Sequence, residues 1–303
     1  MTLNVLLSSP RGFCEGVRRA IEIVERALEL YGAPIYVKHE IVHNRHVVNR
    51  LRDMGAIFIE DLDDVPEGSR IIYSAHGISP AVREHAKRRN LIEIDASCPL
   101  VIKVHSAVKR YAQKGYQIVL IGHRRHVEII GTMGEAPEVT TVVESVADVE
   151  KLSYPPGTPL FCCTQTTLSL DDVSEISDAL RAKYPEIVTL PTSSVCYATT
   201  NRQMALADIS NQCDLVLVVG DPTSSNSNRL RELADRRGVP SYLINHPDEI
   251  CDEWLEGVET VGVTAGASTP EDVVQSCIDR LGAKKAKEVV FTKEEVEFSL
   301  PKM

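Results

Sequence analysis

Along the chain, short and nearly continuous apolar runs alternate with longer stretches whose apolar residues recur at helical spacing. Three such runs end in polar residues: APIYVKHEIVHN (33–44), YQIVLIGHRRHVE (116–128) and DLVLVVGDPTSSNSN (214–228). A second set comprises RIIYSAHGISP (70–80), PLFCCTQTTLS (159–169) and ETVGVTAGASTP (259–270). Each member of this set reads as a strand, a polar tip and a helix start. Apolar strands alternating with helices predict an α/β fold with mostly parallel sheets covered on both faces. Two of the helix starts, Ser79-Pro80 and Thr269-Pro270-Glu271, join an N-cap candidate to proline at the first helical position. The middle one is followed by Asp171 and Asp172, acids suited to a first helical turn.

The pattern occurs three times. Cys14 after SSPRGF, Cys98 after DAS and Cys196 after PTSSV each close a turn-like segment and precede an amphipathic helix pattern, at intervals of 84 and 98 residues. Polar tips keep a nearly constant distance from the preceding cysteine: His43 lies 29 residues on, and His126 and Ser224 each lie 28. His76, Thr166 with Thr167, and Ser268 form a second set at 62, 68 and 72 residues. This spacing divides the chain into units 14–97, 98–195 and 1–13 with 196–283, followed by a tail, 284–303. Ligands of parallel sheets gather beyond the carboxyl ends of the strands, and every tip stands at that end. Three units, each with one cysteine and two tips, therefore predict a central site with pseudo-threefold symmetry. One doubly wound sheet with coincidental likenesses is the plainer alternative.

Composition narrows the picture further. At 303 residues, 43% hydrophobic and 25% charged, the chain is of ordinary globular composition, with length alone favouring about two domains. A formal charge of −10 argues against a nucleic-acid partner. No apolar run reaches the roughly 18–20 residues that cross a bilayer, and the N-terminus resembles neither a signal nor a transit peptide. A reducing cytoplasm is therefore expected, where disulfides are not the default. None of the eight cysteines forms a Cys-x-x-Cys pair, which removes the zinc ribbon, the thioredoxin motif and the local ferredoxin run. Cys213, Cys251 and Cys277, inside or beside helical patterns, are expected to be small buried hydrophobes.

The tips are rich in hydrogen-bond donors. TSSNSN before the helical NRLRELADRR offers hydroxyls, an amide and helix N–H groups, which suit a phosphate; a plain capping loop has the same composition. His123, His126 and Glu128 lie close in sequence, but not at the His-Glu-x-x-His spacing of metalloproteases. They read either as a metal site, as an anion-binding histidine with a carboxylic acid for proton transfer, or as a charged surface loop. His39, His46, His85, His105 and His246 receive no assignment. Three equivalent cysteines can hold three corners of an iron–sulfur cluster, leaving one iron open; zinc, or three structural cysteines, satisfy the same count.

SPRGFCEGVRRAI, KHEIVHN, SAHGISP, DASCPLVIKVH, GHRRHVEIIGTMGE, TQTTLS, CYATTNRQ, GDPTSSNSNRL and VTAGASTPE run in order from about residue 5 to residue 280. Together they resemble the LytB-type 4-hydroxy-3-methylbut-2-enyl diphosphate reductases, the last enzymes of the methylerythritol phosphate route to isoprenoids. The resemblance implies a trefoil-like arrangement of three units around a [4Fe–4S] cluster, which becomes [3Fe–4S] on oxidation. It implies Cys14, Cys98 and Cys196 as cluster ligands. His43, His76, His126, Ser224, Ser225, Asn226 and Ser268 match positions that hold the substrate diphosphate. Glu128 and Thr166 match the proton-delivery pair, with His126 beside them and Gln165, Thr167 and Thr199 nearby. The implied reaction is a reductive dehydroxylation giving isopentenyl and dimethylallyl diphosphates, with electrons from ferredoxin or from flavodoxin and its reductase. A monomer without membrane or nucleic-acid partners is expected. The chain departs from the family's usual pattern at Arg125 and Val127 beside Glu128, at Asp221-Pro222-Thr223 before the serines, and at Cys162-Cys163.

Overall fold

The computed structural model describes residues 3–190, 194–283 and 286–303. The first three residues of the PTSSV segment expected to form a turn before Cys196 lie outside them. Thirteen strands among the described residues are β1 (Asn4–Ser9), β2 (Ile35–Lys38), β3 (Ala56–Ile59), β4 (Arg70–Tyr73), β5 (Ile92–Asp95), β6 (Gln117–Ile121), β7 (Thr140–Val143), β8 (Leu160–Thr164), β9 (Val188–Thr189), β10 (Leu215–Val219), β11 (Ser241–Ile244), β12 (Thr260–Ala265) and β13 (Ala286–Val290). The α-helices are α1 (Glu15–Tyr31), α2 (Arg45–Asp53), α3 (Pro80–Arg88), α4 (Pro99–Gln113), α5 (Val127–Met133), α6 (Val146–Lys151), α7 (Leu170–Lys183), α8 (Tyr197–Ser210), α9 (Ser225–Arg236) and α10 (Glu271–Arg280).

Every strand pair is parallel, and three sheets repeat one order: β3-β2-β4-β5, β7-β6-β8-β9 and β11-β10-β12-β1. The single doubly wound sheet is thereby excluded. In the third sheet β13, from the tail segment, adds a further parallel strand beside β1. By contact density the chain forms two compact units. One comprises Met1–Arg18, His43–Val47 and Tyr197–Glu297 and holds the five-stranded sheet. The other comprises Arg19–Val42, Val48–Cys196 and Phe298–Met303 and holds both four-stranded sheets.

Successive side chains of a strand point to opposite faces, so a strand covered on both sides is apolar throughout. In β10, Leu215, Leu217 and Val219 pack with Val274, Cys277 and Ile278 of α10, while Val216 and Val218 pack with Leu206 and Ile209 of α8 and Leu230 and Ala234 of α9. The same alternation in β8 separates two adjacent cysteines. Cys163 joins Val104 and Val108 of α4, and Cys162 joins Ile176 and Leu180 of α7. Each such buried aliphatic side chain contributes roughly 1.5–3 kcal/mol.

Helix starts follow their local chemistry. Ser79 is the N-cap of α3 with Pro80 at its first position, and Ser169 caps α7 by accepting the Asp172 N–H, with Asp171 and Asp172 in the first turn. The start of α10 differs by one residue from the expected one: Pro270 is the N-cap, with extended backbone, and Glu271 opens the helix.

Candidate active site

The three repeated cysteines have equivalent local settings, each within its own repeat. Cys14, Cys98 and Cys196 each stand immediately before a helix, respectively α1, α4 and α8. The backbone N–H of each donates to the carbonyl two residues past the end of a strand: Cys14 to Ala267 at 3.1 Å, Cys98 to Ala75 at 3.0 Å, Cys196 to Thr166 at 3.0 Å. For Cys14 and Cys98 a second rung precedes it, from Gly12 to Ala265 and from Ala96 to Tyr73, at 3.2 and 3.1 Å. These bonds extend the parallel ladder past the strands β1 and β5, so Cys14 and Cys98 ride on the tips of the strands that carry them. All three are partly exposed thiols outside any disulfide. Burial pushes the Cys14 thiol up, while the Arg202 guanidinium nearby favours its thiolate.

The residue after each accepting carbonyl is one of the expected tips: Ser268 after Ala267, His76 after Ala75, and Thr167 after Thr166. The other set of tips consists of helix N-caps or their neighbours. Ser224 caps α9 through the Ser227 N–H at 3.3 Å, and His126 caps α5 with Nδ1 accepting the Glu128 N–H at 3.2 Å. His43 directly precedes Asn44, whose side chain accepts the Val47 N–H of α2.

In the unit with five strands, the serine-rich loop is fixed from below. Asp221 is fully buried, and its carboxylate accepts from the Thr223 N–H and hydroxyl at 3.0 and 2.8 Å and from the Arg45 N–H and Nε, both at 3.1 Å. Burial works to raise this carboxyl, and those bonds outweigh it and hold it below the ordinary aspartate range. Arg45 lies two residues after His43, so Asp221 ties the His43 segment to the start of α9. Asn226 accepts the Ala267 N–H at 2.9 Å and directs its amide to Thr199 Oγ1 at 3.5 Å. The Ser268 hydroxyl donates to the His43 carbonyl at 2.9 Å. Sequence reading passed over Gly220 and Gly266, at the tips of β10 and β12. A Cβ on either would lie 2.2 or 2.0 Å from Ser227 Oγ, so glycine there lets the first turn of α9 reach the sheet.

In the other unit, Glu128 and Thr166 meet and are almost fully buried. The Thr166 N–H donates to Glu128 Oε1 at 2.7 Å, and its hydroxyl lies 2.9 Å from Oε2. The carbonyl of the same threonine takes the Cys196 N–H. His76 and His126 approach edge to face with ring centroids 6.1 Å apart, and His39, which received no assignment, meets His76 at 5.8 Å. Gln165 accepts the His123 N–H and donates to the Thr167 hydroxyl. His123 faces Glu144 at 3.8 Å, whereas His126 turns to Glu128, so the two histidines serve different partners.

The sequence pattern of the LytB protein family matches residues 5–282. The chain belongs to this family. A 4-hydroxy-3-methylbut-2-enyl diphosphate reductase of Protochlamydia amoebophila (strain UWE25) is 66% identical, over 99% of this chain and 97% of that relative. One from Chlamydia pneumoniae is 62% identical, over 99% and 98%. Among solved structures, the E-1-hydroxy-2-methyl-but-2-enyl-4-diphosphate reductase of Plasmodium falciparum is 48% identical with a TM-score of 0.96, covering 99% of this chain and 96% of that one. A second reductase, described as the terminal enzyme of the non-mevalonate pathway, is 31% identical with a TM-score of 0.66, covering 93% and 99%. Two alternatives open to the sequence, a cluster-free phosphate-ligand-binding protein and a zinc-dependent hydrolase on the same scaffold, find no support among these relatives.

Within this LytB protein the remaining thiols separate by environment. Burial pushes Cys162 and Cys277 up to about 12, raises Cys163 well above the ordinary thiol range, and raises the partly buried Cys213 to about 11. Such thiols behave as small hydrophobes. Cys251 does not: it is exposed, because the apparent helix around it is two short 3₁₀ turns, Pro247–Glu249 and Asp252–Leu255, on the surface. Among the described residues, no helix is long and apolar enough to cross a membrane.

Proposed function

We propose that the chain reduces 4-hydroxy-3-methylbut-2-enyl diphosphate to isopentenyl and dimethylallyl diphosphates, in keeping with the names of its relatives. In the net reaction the allylic C–O bond breaks, two electrons and two protons are consumed, and water leaves. The observation that carries this reading is the shared position of Cys14, Cys98 and Cys196, each hydrogen-bonded through its N–H to a strand-tip carbonyl. Three partly exposed thiols at equivalent positions before a helix are a soft donor set that fits an iron–sulfur cluster. We assign them as ligands of a [4Fe–4S] cluster. When bound, such a cluster supplies electrons singly and, at an iron without a protein ligand, Lewis acidity.

The chain's own residues do the remaining work. Ser224, Ser225 and Asn226 bring the first turn of α9, whose N–H groups and dipole favour a diphosphate. His43 and Ser268, joined by their hydrogen bond, belong to the same anion-binding set, as do His76, His126 and Thr167. Glu128 is the proton source. A protonated Oε2 donates to Thr166 Oγ1, while Oε1 keeps the Thr166 N–H, so the pair holds its geometry with or without the proton. In the protonated state the Thr166 hydroxyl hydrogen points onward, and a proton passed along it is replaced from Glu128. Burial of both residues keeps bulk water from short-circuiting that transfer. An external one-electron donor of the ferredoxin or flavodoxin kind completes the cycle, and the cytoplasm suits both donor and thiols.

Anaerobic purification followed by iron and sulfide analysis tests the assignment. A brown protein with about four iron and four sulfide per chain is expected. A colourless chain that takes up no iron on reconstitution overturns it.

A further inference from the structure

The C-terminal segment beyond β13 contributes Glu294 to the neighbourhood of Cys14. Glu294 meets Arg202 of α8, a fully buried arginine. Arg202 Nε and Nη2 both donate to the Gly12 carbonyl, at 3.0 and 2.8 Å. Nη1 donates to the Ala198 carbonyl at 2.9 Å and to Glu294 Oε1 at 3.0 Å, and Nη2 reaches Glu294 Oε2 at 3.4 Å. These five bonds match the five guanidinium hydrogens. Asn201 steadies the carboxylate with a further bond of 3.1 Å. Gly12 stands two residues before Cys14, at a φ of +63°, and a Cβ there would press within 3.0 Å of the Thr269 carbonyl.

A buried guanidinium is strongly destabilising unless its charge is paired. Burial among backbone carbonyls alone supplies hydrogen bonds but no charge, and the pairing carboxylate comes from the C-terminal segment. A cavity of about 290 Å³, lined among others by Arg11, Glu15, Tyr197 and Glu288, lies beside the pair. We infer that Arg202 and Glu294 are a positioning pair for Cys14: the guanidinium fixes the Gly12 carbonyl and so the cysteine, and the C-terminal segment fixes the guanidinium. The inference rests on the reading of Cys14 as a cluster ligand.

The test compares Glu294→Gln and Arg202→Lys with the wild-type chain after anaerobic reconstitution. Glu288→Gln is the control; it removes a comparable carboxylate that pairs with Arg11 at 2.8 Å in the same cavity. Both pair variants are expected to lose iron in air several-fold faster than wild type and to show an altered electron paramagnetic resonance spectrum of the reduced cluster. Glu294→Gln should keep the thermal midpoint of the metal-free chain within a few degrees, and Glu288→Gln should match wild type throughout. Wild-type iron retention and spectrum in a folded Glu294→Gln chain overturn the inference, as does failure of that variant to fold, which would make the pair a fold element. A wild-type chain that takes up no iron overturns the cluster reading itself.

Discussion

The carboxylate of Glu128 takes both hydrogen bonds that Thr166 can offer, from the backbone at 2.7 Å and from the hydroxyl at 2.9 Å. The contact joins residues 38 apart in sequence, across α5 and the tip of β8. Glu128→Gln preserves it in outline, with the amide oxygen on the Thr166 N–H and the amide nitrogen donating to Oγ1, but has no acidic proton to give. Turnover with a chemical reductant should fall by about 10²-fold or more, while inorganic diphosphate still binds with near-wild-type affinity. Turnover within a few-fold of wild type would remove Glu128 from the proton path.

Thr166 divides the same contact into two parts. Thr166→Ser keeps both donors and should retain most of the activity. Thr166→Val keeps the N–H bond but removes the hydroxyl's bond to Glu128 Oε2, at a cost of about 1–3 kcal/mol for a bond to a charged group, and interrupts the onward path. The valine variant should therefore lose turnover and thermal stability together, and the serine variant neither. Equal activity in the two would show that the hydroxyl carries no proton.

Much of this arrangement was legible in residue order because the chain states it three times. Cys14, Cys98 and Cys196 could be matched by offset alone, and the runs at 70–73, 160–164 and 260–265 are strands because each is covered on both faces. The tips marked in sequence are helix N-caps or neighbours of the accepting carbonyls. Long-range partners were not legible. Asp221 and Arg45 lie 176 residues apart, and neither residue type nor local pattern announces their bond. Arg202 sits in a helix whose buried side mixes Thr199, Gln203 and Ser210 with Ala198, Leu206 and Ile209, where an arginine carries no periodic signal. Cys251 misled because short 3₁₀ turns imitate a helical pattern. The local glycines Gly220 and Gly266 did carry a signal, a strand tip without a side chain, and could have marked the approach of α9.

The cysteines give a prediction about pH. In the unfolded chain a thiol ionises near 9.0, whereas folded Cys162 and Cys277 keep their protons to about 12. Above pH 9 the unfolded state therefore binds fewer protons than the folded one, and stability falls as pH rises. The loss is about 1.4 kcal/mol per pH unit for each thiol. Urea midpoints of the metal-free chain should drop steeply between pH 9 and 11, and Cys162→Ala with Cys277→Ala should flatten that slope even while lowering stability at pH 7. An unchanged slope in the double variant contradicts the assignment of these thiols as buried and protonated. Cys98→Ser, by contrast, should lower reconstituted iron, which the Cys162 and Cys277 substitutions leave intact.

Asp221 is the last test, because its carboxylate joins the His43 segment to the serine-rich loop. Its two oxygens accept from Thr223 on one side and Arg45 on the other. In Asp221→Asn one oxygen becomes a donor and must face either the Thr223 N–H or the Arg45 guanidinium, so a bond is lost whichever way the amide turns. Destabilisation of about 1–3 kcal/mol is expected from the orphaned donor. The freed segments are those that carry His43 and Ser224, so the functional loss should appear in KM for the diphosphate substrate by about tenfold, with kcat changed less. Because Asp221 is held below the ordinary aspartate range, its contribution is fully present above the unfolded pKa and fades as pH falls through the folded one. The stability gap between wild type and Asp221→Asn should accordingly be widest at neutral pH and close in acid, and a gap that stays constant down to about pH 2 would mean that the carboxylate charge is not what holds the loop.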